Sequence, residues 1–185
     1  MQARDSDVPR LVVGISRSPA SWWALTWAIG EARRRGARLV LVHIFRPRGV
    51  SLRDMDDFFT PELRDPNADR RGAGFELIRS AIAQAAGQLP RDVAVERTVL
   101  PGRPAAELTQ LAHGGDVLVL GSRHRGWLRR HAPGSVSRAC ARRADCLVVI
   151  VPEPSPSALA AALPADTVSG HRRHWLPHRE QRMAS

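Results

Sequence analysis

The chain has 185 residues, of which 43% are hydrophobic and 25% are charged, and its formal net charge at pH 7 is +10. This length suffices for one globular domain that buries about two-thirds of its unfolded surface. No apolar run reaches the roughly 18 residues of a membrane span, and the first ten residues lack the apolar core of a secretory signal. All 28 basic residues are arginine, which excludes lysine as a Schiff base, a general base or a P-loop cation.

The cysteines and the net charge bear on compartment and partners. Cys140 and Cys146 have no metal-ligand spacing and indicate a reducing compartment, so we predict a cytoplasmic protein. Because no apolar run is long enough for a membrane span, we expect no membrane partner. The positive charge attracts anions, including nucleic acids. However, the arginines are spread along the chain and match no nucleic-acid-binding module, so a specific nucleic-acid partner is not expected.

Apolar runs of strand length alternate with helical patterns along the chain. Residues 11–15 predict a first strand, and Ser18 and Pro19 predict the start of a helix that Gly36 ends. A second strand is predicted over 37–45, followed by a long polar segment over 46–70. The later predicted elements are a helix with Phe75, Ile78, Ile82, Ala85 and Leu89 on its apolar face, a strand over 94–100, a helix that stops at Gly114–Gly115, a strand over 117–120, a helix opened by residues 134–137 and a strand over 147–151.

This alternation predicts an α/β fold: one five-stranded parallel sheet, Rossmann-like, with helices on both faces. In such sheets ligands bind at the carboxyl ends of the strands, where the strand order reverses. Gly14 and Gly121 stand at two such ends. The composition changes after Pro152, so we predict a flexible N-terminus over 1–9, a domain over 10–152 and a disordered basic tail over 153–185.

The segment from Asp116 to Val151 is the first candidate for a ligand site. A strand ends at Gly121, an arginine-rich loop follows, and Gly134–Ser137 opens a helix. The unpaired N–H groups and the positive dipole end of a helix N-terminus bind anions. The loop arginines either neutralise phosphate or remain solvated; they are Arg123, Arg125, Arg129 and Arg130.

The spacing in this segment resembles the nucleotide-binding signature of the universal stress protein family. Gly121, two residues, His124, nine residues and Gly134–Ser135 match that signature, except that the family has glycine in place of His124. The resemblance extends over roughly residues 10–151 and includes VVGISRSPAS, LVLVHIF and PGRPAAEL. It implies an adenine nucleotide alpha hydrolase-like fold with strand order 3-2-1-4-5, bound ATP, and a homodimer formed through the last strand.

The resemblance also implies which residues bind the nucleotide. Ser16 replaces a family acid and accepts hydrogen bonds more weakly. Ile44 is expected beside the adenine, whereas His43 is expected to pack structurally. The ring of His124 either restricts the phosphate site or, when protonated, donates to phosphate. The candidates are Gly14, Ile15, Ser16, Ile44, Leu120, Gly121, His124, Gly134, Ser135, Val136 and Ser137.

No residues form a catalytic or metal-binding pattern, so we expect neither an enzyme nor a metal site. Trp22, Trp23 and Trp27 share one helix, where they either pack in the core or present one ring to a protein partner. The prediction is a cytoplasmic, stress-linked regulator that binds ATP weakly between the first and fourth strands. The main alternative is a degenerate dimeric interaction module that binds no nucleotide. A third interpretation is a protein that associates with nucleic acids through its net charge of +10.

Overall fold

The computed structural model describes residues 8–47, 67–88, 90–122 and 136–155. The chain divides into two units, residues 1–153 and residues 154–185, and the elements described below all lie in the first. Residues 1–7 and those beyond 155 lie outside the described residues, as does most of the predicted polar segment. None of the helices in the described ranges has the length and apolarity that a membrane crossing requires.

Five parallel strands alternate with four helices, and the strands lie in the order β3-β2-β1-β4-β5. This confirms the predicted sheet and its order. The elements are β1 (Arg10–Gly14), α1 (Pro19–Arg35), β2 (Arg38–Phe45), α2 (Ala68–Ala86), β3 (Val95–Pro101), α3 (Pro104–Leu111), β4 (His113–Ser122), α4 (Val136–Arg143) and β5 (Asp145–Pro152).

Each face of the sheet has its own hydrophobic cluster. On one face, Leu11 and Leu41 pack under α1 and α2. On the other, Val12 and Leu118 pack with α3 and with Cys140 of α4. Successive residues of a strand point to opposite faces, so the uninterrupted apolar run of β1 is that of a strand covered on both sides. The prediction of helices on both faces is therefore confirmed.

Helix α3 does not extend to the double glycine, and this prediction was wrong. The helix ends at Leu111, and Gly114 and Gly115 lie within β4. The pairing of β4 with β5 is irregular between His113 and Val117, and Gly114 has a positive φ of 56°. The two glycines therefore supply backbone freedom to the irregular start of a strand rather than ending a helix.

The apolar face of α2 passes through Gly74, not Phe75. Ile78 and Ile82 are buried as predicted, but the side chain of Phe75 is 39% exposed. A methyl group at Gly74 would lie 2.6 Å from Cγ1 of Val99. Because β3 packs so closely against Gly74, only a residue without a side chain fits at this position. The larger Phe75 lies at the edge of the apolar face of α2. Leu89 lies outside the described residues.

At the amino end of the sheet, Arg10 and Asp116 join β1 to β4 by two hydrogen bonds. Nε of Arg10 donates to Oδ1 at 2.9 Å, and its Nη2 donates to Oδ2 at 2.5 Å. The N–H of His113 also donates to the carboxylate at 3.0 Å. Burial raises the pKa of Asp116. The hydrogen bonds and the charge of Arg10 together lower this pKa by more than burial raises it, so the pKa lies below its ordinary 3.8.

Candidate functional site

The strand order reverses between β1 and β4, and three of the predicted site residues, Gly14, Leu120 and Gly121, lie at the carboxyl ends of these strands. The chain passes from β1 outward to β2 and β3 on one side, whereas β4 and β5 lie on the other. Gly14 is paired with Leu120 in register, and Gly121 follows Leu120 directly. These three residues and the loop after β1 therefore meet at the place where doubly wound sheets bind ligands.

A group of three serines shapes the loop between β1 and α1. The hydroxyl of Ser18 accepts from the N–H of Ala20 at 3.2 Å, which confirms Ser18 as the N-cap of α1. The hydroxyl of Ser16 accepts from the N–H of Ser18 at 3.3 Å, and Ser16 is exposed. Ser21 is buried, and its hydroxyl oxygen lies 2.8 Å from the carbonyl oxygens of both Ser16 and Ser18, which share its one proton. Ser16 is thus an exposed hydroxyl on a loop with internal hydrogen bonds.

Gly14 and Gly121 are both packed closely by protein atoms. A methyl group at Gly14 would lie 2.6 Å from Cδ2 of Leu120 and 3.5 Å from Cδ1 of Leu108. A methyl group at Gly121 would lie 2.2 Å from the carbonyl oxygen of Ala20. The absence of a side chain at Gly121 therefore lets the start of α1 approach the end of β4, a packing role that the sequence motif did not reveal.

The end of β2 connects to the same loop through His43. Nδ1 of His43 lies 3.0 Å from the carbonyl oxygen of Ile15, and an N–H at that nitrogen donates to it. The N–H of Ile15 donates to the carbonyl oxygen of Val42 at 2.8 Å. Ile15 and Ile44 are both buried, Ile15 with the residues under α1 and Ile44 with the cluster on the opposite face. His43 thus has the structural contact expected of it, between β2 and the start of the loop.

Helix α4 begins beside the end of β4. Val136 packs against the cluster that contains Leu118 and Leu120, and the hydroxyl of Ser137 donates to the carbonyl oxygen of Gly121 at 3.0 Å. The structure therefore brings Ser137 to Gly121, as the spacing suggested, and it engages the Ser137 hydroxyl with the backbone. The predicted site residues His124, Gly134 and Ser135 and the four loop arginines lie outside the described residues.

Ser21 is a residue of this loop region whose buried contacts sequence reasoning missed. It lies three residues after the N-cap, where its hydroxyl reaches back to the residues that precede the helix. The spacing Ser18-x-x-Ser21 at a strand-to-helix junction was the available signal, because serine at the start of a helix bonds readily to nearby backbone. Its burial could not be read from that spacing.

In the described part of the chain, two arginines are direct sequence neighbours of predicted site residues. Arg17 is exposed directly after Ser16, and Arg138 is exposed in the first turn of α4. The first turn of α1 contains no acidic residue. Across the parts of the chain that the structure describes, no three His, Cys, Asp or Glu side chains come together as a metal site would require.

A sequence profile described as the universal stress protein family matches residues 8–152. The chain belongs to this family. A universal stress protein of Mycobacterium tuberculosis is 33% identical over 161 residues, which cover 86% of this chain and 48% of that protein. One from Mycolicibacterium smegmatis is 33% identical over 149 residues, 80% of this chain and 47% of that protein. The chain thus spans about half the length of the curated relatives it matches.

Solved structures of the family have the same fold. A universal stress protein in complex with cAMP superposes with a TM-score of 0.53 at 24% identity, covering 77% of this chain and 95% of that one. A universal stress protein family member from Arabidopsis thaliana with AMP bound gives a TM-score of 0.51 at 17% identity, covering 86% and 98%. At these identities the likeness shows the shared fold.

Proposed function

We propose that this universal stress protein domain binds an adenine nucleotide, with ATP as the first candidate, at the carboxyl ends of β1 and β4. The observation that carries the proposal is the meeting of Gly14, Leu120, Gly121 and Ser137 where the strand order reverses. Family members of the same fold contain cAMP and AMP, which supports an adenine nucleotide as the ligand class.

The described residues determine the affinity and the ligand preference that we expect of the site. Ser16 offers a neutral acceptor, so it bonds a ribose or base less strongly than a carboxylate would. Arg17 and Arg138 add positive charge near the two loops, which favours a phosphorylated ligand over a nucleoside. We expect weak binding, because the hydroxyl of Ser137 is shared with the backbone of Gly121.

We further propose that the domain regulates a cytoplasmic stress response rather than catalysing a reaction. At the loops that the structure describes, the serine hydroxyls bond to backbone groups and Nδ1 of His43 bonds to the carbonyl of Ile15, so no base is hydrogen-bonded to a nucleophile there. A nucleotide bound here would act by changing the shape of the two loops.

The test is calorimetric titration with ATP, AMP and cAMP of the wild type and two variants. His124→Gly restores backbone freedom in the loop, so we expect it to tighten ATP binding. Gly134→Val blocks the predicted approach to the N-terminus of α4 and should abolish binding in either background. If His124 instead donates to phosphate, His124→Gly binds more weakly, and wild-type affinity falls as the pH rises through about 6.5.

The second candidate function is a dimeric interaction module without nucleotide. It is favoured by the close packing of the start of α1 against Gly121. This packing alone requires glycine at position 121, so the glycine does not need a ligand to explain it. It is also favoured by Leu147 and Ile150 of the edge strand β5, which are 58% and 42% exposed. Absence of ATP binding in both the wild type and His124→Gly would select this candidate.

A further inference from the structure

Ser21 is one of three polar or charged residues that are buried among the described residues, and it is the one at the carboxyl end of the sheet. A buried hydroxyl is costly unless it is hydrogen-bonded. This one shares its single proton between two carbonyl oxygens, those of Ser16 and Ser18, and accepts from the N–H of Ser16 at 3.3 Å. Its bonds therefore run to the loop that leads into α1.

These bonds hold the loop at both of its serines. The carbonyl of Ser18 also accepts from the N–H of Ser21 at 2.9 Å, so residues 18 and 21 are joined twice. The carbonyl and N–H of Ser16 both meet the Ser21 hydroxyl, which fixes the peptide groups on either side of the exposed Ser16 side chain. The direction of the Ser16 hydroxyl thus depends on Ser21.

The same turn of α1 contacts the other half of the site. The Cα position of Gly121 faces the carbonyl of Ala20 and the N–H of Ser21, and a methyl group there would lie 2.7 Å from that nitrogen. The carbonyl of Gly121 in turn accepts the hydroxyl of Ser137. A continuous series of contacts therefore runs from Ser16 through Ser21 and Gly121 to the first turn of α4.

We propose that Ser21 is a positioning residue of the nucleotide site: its hydroxyl sets the shape of the β1–α1 loop and the seat of that loop against β4 and α4. This role rests on the proposed nucleotide binding. Ser21 need not touch the ligand, because it acts through Ser16 and Gly121. Loss of its hydroxyl would leave the peptide groups of the loop free to turn and would weaken binding without removing a ligand contact.

The test compares Ser21→Ala with Thr26→Ala, a matched control on the same helix. The hydroxyl of Thr26 also shares its proton between two backbone carbonyls, those of Trp22 at 3.1 Å and Ala85 at 3.3 Å, but it is exposed and lies away from the loop. We expect Ser21→Ala to raise the Kd for ATP about fivefold, the loss of roughly one hydrogen bond. Thr26→Ala should leave the Kd unchanged, and Ser21→Thr, which keeps the hydroxyl, should bind more tightly than Ser21→Ala.

Melting temperature and amide hydrogen exchange separate positioning from general stability. Exchange in the peptide over residues 15–21 should accelerate in Ser21→Ala and not in Thr26→Ala. If Ser21→Ala does not fold, Ser21→Cys fills the same position with a slightly larger side chain and a much weaker donor, and it should show the same loss of affinity. If folded Ser21→Ala binds ATP with the same Kd as the wild type, the positioning role of Ser21 is overturned and the proposed nucleotide binding is not affected. Failure of both the wild type and His124→Gly to bind ATP, AMP or cAMP overturns the proposed function and this role with it.

Discussion

The Cα atom of Gly121 faces the backbone of Ala20 so closely that a methyl group would lie 2.2 Å from the Ala20 carbonyl oxygen and 2.3 Å from its carbonyl carbon. Both are backbone atoms in the first turn of α1, so neither can rotate away as a side chain would. The end of β4 and the start of α1 therefore fit together only with glycine at position 121. A residue that the family signature associates with a ligand thus also determines the packing of the first helix.

We predict that Gly121→Ala lowers the free energy of unfolding by about 1–3 kcal/mol, because the added carbon must displace α1 or the end of β4. Gly30→Ala is the control, since Gly30 is a helical residue of α1 with no atom within 4 Å of an added carbon. That change should raise stability by about 0.5–1 kcal/mol. Urea unfolding of both variants gives the comparison, and equal stability of Gly121→Ala and the wild type would contradict the packing.

The pair of Arg10 and Asp116 predicts a loss of stability in acid. The pKa of Asp116 is lower in the folded chain than its ordinary 3.8, so the unfolded chain takes up the proton first as the pH falls. The contribution of the pair is complete above about pH 4 and disappears as the pH drops through the folded pKa. Asp116→Asn should therefore cost about 1–3 kcal/mol at pH 7 and progressively less below pH 4.

Urea unfolding between pH 2 and pH 7 measures this dependence. Asp92→Asn is the matched control, because Asp92 also receives two hydrogen bonds from an arginine, Arg33, but this pair is exposed on the surface. Exposed ion pairs contribute little to stability, so the control should change stability much less at pH 7. The interpretation is wrong if the two variants lose the same stability.

The two cysteines should differ in reactivity. Burial raises the pKa of the Cys140 thiol to about 11, with a smaller contribution from Cys146, and Cys140 is fully buried. Only about one thiol in a thousand would then be ionised at pH 8, and the thiolate is the reactive form. Iodoacetamide at pH 8 should modify the half-buried Cys146 first and Cys140 only after unfolding. Mass spectrometry of the native wild type and of Cys146→Ser checks the order; labelling of Cys140 as fast as Cys146 would contradict it.

The edge strand β5 predicts a homodimer. Ile150 and Leu147 leave their side chains exposed on a strand that pairs with β4 on one side. Ile150→Asp should shift the domain to a monomer in light scattering at high micromolar concentration, because a carboxylate on each copy would oppose strand pairing. Phe75→Asp is the control, since Phe75 is similarly exposed on α2.

Ile150 is a better position for this substitution than its neighbour Val149, because the two side chains differ in packing. Val149 packs against the core cluster under α1, so a carboxylate there would also destabilise the fold. A wild type that is monomeric at the same concentration would remove the dimer.

Local signals predicted α1 well, and non-local contacts explain what was missed. Ser18, Pro19 and Gly36 define the helix ends because caps act within a few residues, and the structure has α1 at Pro19–Arg35. Alternation predicted parallel strands, but the strand order came from the family resemblance, since alternation alone permits several orders. The closeness of Gly121 to Ala20 joins residues about a hundred positions apart, and no pattern within either segment encodes it.

The same distinction applies at Gly74 and at the double glycine. Gly74 faces Val99 of β3, a contact that helical periodicity cannot supply, so the larger Phe75 was assigned to the core instead. Gly114–Gly115 is a normal signal for the end of a helix. In the structure both glycines lie within β4, next to Asp116, which receives hydrogen bonds from Arg10, distant in the sequence, and from the N–H of His113.

The central position of β1 has a consequence for synthesis on the ribosome. Arg10 and Asp116 lie 106 residues apart, and β1 lies between β2 and β4 in the finished sheet. At translation rates of about 5–20 residues per second, roughly 5–20 s pass between the synthesis of β1 and that of β4, and during this time one edge of β1 has no partner strand. The nascent chain can assemble β1, β2 and β3 with α1 and α2 during that interval, but it carries an open apolar edge in the middle of the future sheet. Chaperones that bind extended apolar segments would therefore bind this chain before residue 116 is synthesised and dissociate once β4 has paired with β1.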